Sequence, residues 1–159
     1  MASNPHPAPR TLVHWIAFGG GAGLSPIAPG TVGTLVALPI YLAIAAWPPV
    51  FYLGFVLGLG LAGILICGRT AAELGVPDHP GIVFDEIAGF LLAMSALPAN
   101  GYWIAAAFVL FRLLDILKPW PISLADRRIE GGLGVMLDDL LAGAMVCAAL
   151  HGLRALFWG

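Results

Sequence analysis

Apolar residues run along this chain in long stretches, broken by prolines, by glycines and by two dense patches of charge. No Asp, Glu, Lys or Arg occurs between residues 11 and 68, which leaves room for two spans of about 20 residues each. Trp47-Pro48-Pro49 breaks that region, so the pattern predicts helices over about 31–47 and 50–67. A third apolar segment is expected over 82–97, closed by the turn sequence Pro98-Ala99-Asn100-Gly101. A fourth follows over 102–117 and a fifth over 135–158. Several are short for a full crossing, which predicts tilted or re-entrant segments. The expected fold is all-α: a polytopic membrane helix bundle with about four to five apolar helical segments, some short or re-entrant. Residues 1–159 are expected to form one integral membrane domain with a polar N-terminal tail over 1–10.

Composition agrees with the pattern. Of 159 residues, 60% are hydrophobic and 10% are charged, where a soluble domain carries about 25% charged residues. The mean hydropathy is +0.94. An ordinary soluble enzyme is excluded on that basis. A formal net charge of -2 with no basic patch excludes a nucleic-acid binder. Disorder is excluded because disordered chains are poor in apolar residues. The apolar run Leu12–Phe18, interrupted by His14, is short for the core of a signal peptide, so this end is expected to be retained. Cys67 and Cys147 lie within apolar stretches and read as buried thiols rather than a disulfide.

The charges are concentrated. Five fall in 69–86 and nine in 112–139, with only Arg10 and Arg154 outside. Threading the segments back and forth puts both windows on one side, while the turns at Trp47-Pro-Pro and Pro98-Ala-Asn-Gly carry no charge. Arg10, Arg69, Lys118, Arg127 and Arg128 share the charged side, which the positive-inside bias assigns to the cytoplasm. The N-terminus is then inside and the C-terminus outside.

Asp85, Glu86, Asp115, Asp138 and Asp139 come from three segments and meet at that charged end. A charge within a bilayer costs about 2.5–3.5 kcal/mol, so two or three unpaired acids would cost about 5–10 kcal/mol. Arg112 and Lys118 offset only part of the charge. A hard divalent cation is the simplest compensation, and oxygen-only ligands favour Mg²⁺ or Mn²⁺ over Zn²⁺. The plainer alternative is that the acids mark helix N-termini. That fits Asp85-Glu86 and Asp138-Asp139 but not Asp115, near a segment's C-terminal end. A simple intrahelical pair between Arg112 and Asp115 is a further alternative.

Residues 19–34 form a glycine-rich loop that includes Ser25, Thr31 and Thr34. Successive N–H groups in such a loop, with Thr31 at a helix start, suit a phosphate. Glycines also serve close helix packing, so the loop alone decides nothing. Metal, cations and phosphate donors on one membrane face together point to phosphoester chemistry on a lipid.

The motifs resemble the phosphatidylglycerophosphatase A family of bacterial membrane phosphatases. The carrying residues are Gly23-Leu24-Ser25-Pro26-Ile27-Ala28-Pro29-Gly30-Thr31 with Gly33-Thr34, then Asp78-His79 and Ile82-Val83-Phe84-Asp85-Glu86-Ile87-Ala88-Gly89. Phe111-Arg112-Leu113-Leu114-Asp115-Ile116-Leu117-Lys118-Pro119-Trp120-Pro121-Ile122 follows. Last comes Gly131-Gly132-Leu133-Gly134-Val135-Met136-Leu137-Asp138-Asp139 with Ala142-Gly143. Four blocks in order cover most of the chain.

The resemblance implies Mg²⁺-dependent removal of the terminal phosphate from phosphatidylglycerophosphate, giving phosphatidylglycerol. It implies a site at the cytoplasmic face of a bacterial inner membrane, in a multi-pass protein whose partner is a phospholipid. Carried onto this chain, Asp85, Glu86, Asp138 and Asp139 are metal ligands or acid/base groups, and Asp115 is a further catalytic candidate. Arg112 and Lys118 hold the phosphate with Ser25, Thr31 and Thr34, and His79 is either an acid or a loop contact. Attack by an activated water and an aspartyl-phosphate intermediate both fit. A cation channel or ion-coupled transporter would use the same acids, yet the first two apolar segments offer no polar path. Gly89 and Gly143 suit helix packing within one chain or in a homo-oligomer.

Overall fold

The computed structural model describes residues 7–77 and 79–158, so part of the polar tail, Asp78 of the second motif and Gly159 lie outside the described residues. α1 (Leu12–Ala17) leads through a short 3-10 helix, Gly19–Leu24, into α2 (Pro29–Ile44). α3 (Pro49–Leu74), α4 (Phe84–Ala93), α5 (Gly101–Leu117), α6 (Ile122–Arg128) and α7 (Gly131–Trp158) follow, and no strand occurs among the described residues. Pro29 and Pro49 open their helices where a missing N–H costs nothing. The Asn100 side chain caps α5 by accepting the Trp103 N–H at 3.1 Å.

Each apolar segment expected from the sequence is helical, but the number of membrane-length helices is smaller than expected. Two are long and apolar enough to cross a membrane, Pro49–Leu74 and Gly131–Phe157. α2 has 16 residues, α5 has 17 and α4 has 10, or about 24, 26 and 15 Å at 1.5 Å per residue, against a hydrocarbon core of about 30 Å. α3 extends beyond its expected end at Cys67 because Arg69 Nε donates to Glu73 Oε1 at 2.6 Å, one turn on. Gly75, at φ 70, then terminates it.

α3 is apolar on every side as far as Gly68, and Leu53, Leu57, Leu61 and Leu65 form an outward stripe at four-residue spacing. Leu61 and Leu65 are 69% and 75% exposed. A helix apolar all round with an unburied leucine face fits hydrocarbon better than water. α4 is the reverse case. Phe84, Ile87, Ala88, Gly89, Phe90, Leu91 and Ala93 are all buried, and α4 packs against α2, α3, α5 and α7. Phe90 meets Phe111 of α5 edge-on at 6.3 Å, within a core that also holds Tyr41, Val56 and Val146.

Two glycines let α4 sit that deep. A Cβ on Gly89 would lie 2.6 Å from the Asp139 carbonyl oxygen, and one on Gly143 would overlap the Gly89 carbonyl. Both glycines are therefore spent on helix packing within the chain. Cys67 and Cys147 are free thiols, as expected, but only Cys67 is buried; Cys147 is half-buried.

Candidate active site

α2, α4 and α7 begin at the same end of the bundle where α3 and α5 finish, and the charged residues collect there. A cavity of about 440 Å³ opens at this end, with Asp85, Glu86, Asp115, Lys118, Asp138 and Asp139 among its walls. Asp85 and Glu86 lie in the first turn of α4, where the helix dipole favours negative charge. Asp138 and Asp139 lie two turns into α7, and Asp115 and Lys118 at the end of α5.

Asp85, Glu86 and Asp139 each offer a carboxylate oxygen, and the three lie within 4.8 Å of one another. Asp85 Oδ1, Glu86 Oε2 and Asp139 Oδ1 are buried and accept no hydrogen bond. Buried acceptors of this kind are costly unless something satisfies them. Three hard oxygen donors with unused lone pairs are a donor set that fits Mg²⁺ or Mn²⁺.

Asp138 has different partners from its neighbour. Lys118 Nζ donates to Asp138 Oδ2 at 2.6 Å and also bonds Asp126 of α6. Asp138 Oδ1 accepts the Asp139 backbone N–H at 3.0 Å. Partial burial opposes the charged ammonium of Lys118, but the bonds from Asp126 and Asp138 outweigh it and hold its pKa above the ordinary value. Arg112 stands behind the cavity wall rather than in it. Its Nη1 is 2.6 Å from Asp115 Oδ2 and 3.8 Å from Glu86 Oε1. The contact with Asp115 is an ion pair without the alignment of a hydrogen bond.

The glycine-rich segment does not line the cavity. Ser25 Oγ donates to the Ile27 carbonyl at 2.8 Å, a local turn contact. Thr34 Oγ1 donates to the Gly30 carbonyl at 2.9 Å, inside its own helix. Thr31 is half-buried in the first turn of α2. Gly30 is the part of this segment that reaches the acids: a Cβ there would overlap Glu86 Oε1 and approach both Arg112 terminal nitrogens at 3.1 Å. His79 does line the cavity, and its ring is engaged at both nitrogens. Nδ1 accepts the Gly81 N–H at 3.0 Å, so Nε2 carries the proton and donates to the Pro7 carbonyl at 3.0 Å. That arrangement makes it a loop anchor.

Sequence reasoning missed Asp126, and it gave Gly30, a motif residue, no place beside the acids. Asp126 sits in an Ala-Asp-Arg-Arg run that reads as a solvated face. Only the fold of α6 over α7 brings it to Lys118.

Two helices long and apolar enough to cross a membrane, beside an acid-walled cavity at one end, are features of a membrane-associated enzyme. Residues 15–154 match the family model for phosphatidylglycerophosphatase A. The phosphatidylglycerophosphatase A of Escherichia coli (strain K12) is 45% identical over 140 residues, covering 87% of this chain and 81% of that protein. The phosphatidylglycerophosphatase A of Haemophilus influenzae is 42% identical over 148 residues, covering 92% and 90%. No solved structure matches the chain. The chain belongs to the phosphatidylglycerophosphatase A family and is a phosphoric monoester hydrolase.

Proposed function

We propose that this enzyme cleaves the terminal phosphate monoester of phosphatidylglycerophosphate in the cavity between α4, α5 and α7. A divalent cation is held there by Asp85, Glu86 and Asp139. What carries the reading is the convergence of three carboxylates, from two helices, on one cavity in a chain of this family. When bound, Mg²⁺, or Mn²⁺ in its place, supplies Lewis-acid polarisation of a phosphoryl oxygen and offsets the local negative charge.

The chain's own groups do the rest. Lys118 presents a positive charge to the substrate phosphate, held in place by Asp138. Arg112 balances Asp115 and Glu86 from behind. Asp115 lines the cavity beside the carboxylate cluster, paired with Arg112, and is assigned to proton transfer. A water oxygen becomes bonded to phosphorus, the phosphorus–oxygen bond to glycerol breaks, and the proton ends on the glycerol oxygen. Phosphatidylglycerol and inorganic phosphate result.

Leu117 and Trp120, 71% and 77% exposed, stand next to Lys118 at this end of the bundle. They offer an apolar surface for acyl chains while the head group occupies the cavity. We place the cavity at the cytoplasmic face of the bacterial inner membrane, with α2, α3, α5 and α7 crossing the bilayer and α4 enclosed among them. The basic residues at this end support that orientation. The test is phosphate release from phosphatidylglycerophosphate by purified protein with Mg²⁺, with Mn²⁺ and with chelator. Release that stops with chelator and returns with either ion supports the reading; chelator-insensitive release overturns the cation.

A further inference from the structure

A second cavity, of about 380 Å³, lies at the opposite end of the bundle, where α2, α4 and α7 finish and α3 begins. Tyr41, Trp47, Tyr52, Met94, Leu97 and Arg154 are among its walls. Its volume falls within the range of small-molecule sites, about 300–1,000 Å³. Among the described residues, Arg154 is the one charged side chain at this end.

The polar chemistry of the cavity is one-sided. The Tyr52 hydroxyl donates to the Leu91 carbonyl at 2.6 Å and the Tyr41 hydroxyl to the Leu97 carbonyl at 3.5 Å, so both protons are used within the protein. Pro49 and Pro98 bring no N–H. Arg154 Nη1 reaches the Ala96 carbonyl at 3.5 Å, which occupies one of the five guanidinium donors. A cation with spare donors beside aromatic and aliphatic walls, with no Asp or Glu at this end among the described residues, selects an anion attached to apolar matter. Capping the α4 C-terminus explains the Ala96 contact, but not a cavity of ligand size beneath it.

We infer that this cavity binds the phosphodiester head group of an anionic phospholipid in the leaflet opposite the active site. The inference rests on the proposal that the bundle crosses the bilayer. At a membrane interface one basic side chain adds about fivefold to the affinity for anionic lipid. Trp47, which is exposed, suits the head-group and ester region.

The test is native mass spectrometry of the full chain in detergent, titrated with phosphatidylglycerol or phosphatidylcholine, for wild type, Arg154→Ala, Arg154→Gln and Arg154→Lys. Phosphatidylglycerol also binds the active site as product, so the difference between variants isolates the far cavity. The expected result is one further phosphatidylglycerol retained by wild type and Arg154→Lys, at about fivefold higher affinity than in Arg154→Ala or Arg154→Gln. Phosphatidylcholine shows no such difference, and millimolar inorganic phosphate does not displace the lipid. Equal retention by all four proteins overturns the site. Equal, Arg154-dependent retention of phosphatidylcholine overturns its preference for anionic lipid, and displacement by inorganic phosphate reduces it to a simple anion site. Phosphate release from a soluble short-chain substrate stays unchanged in folded Arg154 variants. Release of the protein from membranes by alkaline carbonate would overturn the bilayer reading as well, whereas unchanged lipid retention in a membrane-held variant overturns this site alone.

Discussion

Lys118 Nζ donates to Asp138 Oδ2 at 2.6 Å, tying the end of α5 to α7 one residue before Asp139 joins Asp85 and Glu86. Two adjacent acids on one helix therefore face two different sets of partners.

That division predicts different failures for two isosteric substitutions. Asp139→Asn removes a proposed cation ligand, and turnover should drop by about a thousandfold, with more Mg²⁺ needed for the remainder. Asp138→Asn weakens a charge-assisted hydrogen bond to Lys118. Its kcat/KM should fall about tenfold or more, mainly through KM, with the Mg²⁺ requirement unchanged. Steady-state phosphate release across a Mg²⁺ titration separates the two. Identical Mg²⁺ profiles for both variants would sink the division.

Asp126 bonds the ammonium proposed to meet the substrate phosphate, so the two would compete for it. It is 38% exposed in its pair with Lys118, so the pair is worth no more than about 1 kcal/mol. Asp126→Asn should lower KM about two- to fivefold with kcat nearly constant, because Asp138 still holds Lys118. An unchanged or higher KM in the same assay would argue that Asp126 positions Lys118 instead.

Gly30 gives a steric test of the site. Its missing side chain leaves room for the Glu86 carboxylate, so Gly30→Ala should displace Glu86 and Arg112 together. The expected losses are about 1–3 kcal/mol of stability and about a hundredfold in turnover. Gly54→Ala, on α3 with open space around it, should leave both unchanged. Thermal unfolding in detergent and phosphate release report the two quantities. Full activity in Gly30→Ala would mean that Glu86 can move without consequence.

Much of this was legible in the chain itself. Helical segments and breaks follow from apolar runs, Trp47-Pro48-Pro49 and the Pro98 turn, because backbone polar groups in an apolar setting must be paired locally. The meeting of acids from three segments at one end follows from alternating direction alone. What could not be read was depth and partner. That α4 has 10 residues and lies inside the bundle depends on the Gly89 and Gly143 contacts, and glycine spacing does not say which helix comes close. The separation of Asp138 from Asp139 depends on their angle around α7, which adjacent positions conceal. Ser25, Thr31 and Thr34 suited a phosphate by type. In the fold, Ser25 and Thr34 bond nearby backbone carbonyls, and none of the three reaches the cavity wall.

The orientation of the bundle can be settled with single cysteines. Ala99 is exposed in the turn between α4 and α5, at the end opposite the acids, and Arg128 is exposed at the close of α6, at the acid end. Cys67 is buried beside Met136 and Cys147 is half-buried against Ser95, just past α4, so both are replaced by Ala before the probes are introduced. In right-side-out vesicles, a membrane-impermeant maleimide should label Ala99→Cys directly and Arg128→Cys only after permeabilisation. Inverted vesicles should give the opposite order. Labelling of both positions from one side would mean that the two ends share a face, and α2, α3, α5 and α7 would then not cross as proposed. Labelling of Arg128→Cys from outside alone would keep the crossing and reverse the face, placing phosphate release on the external side.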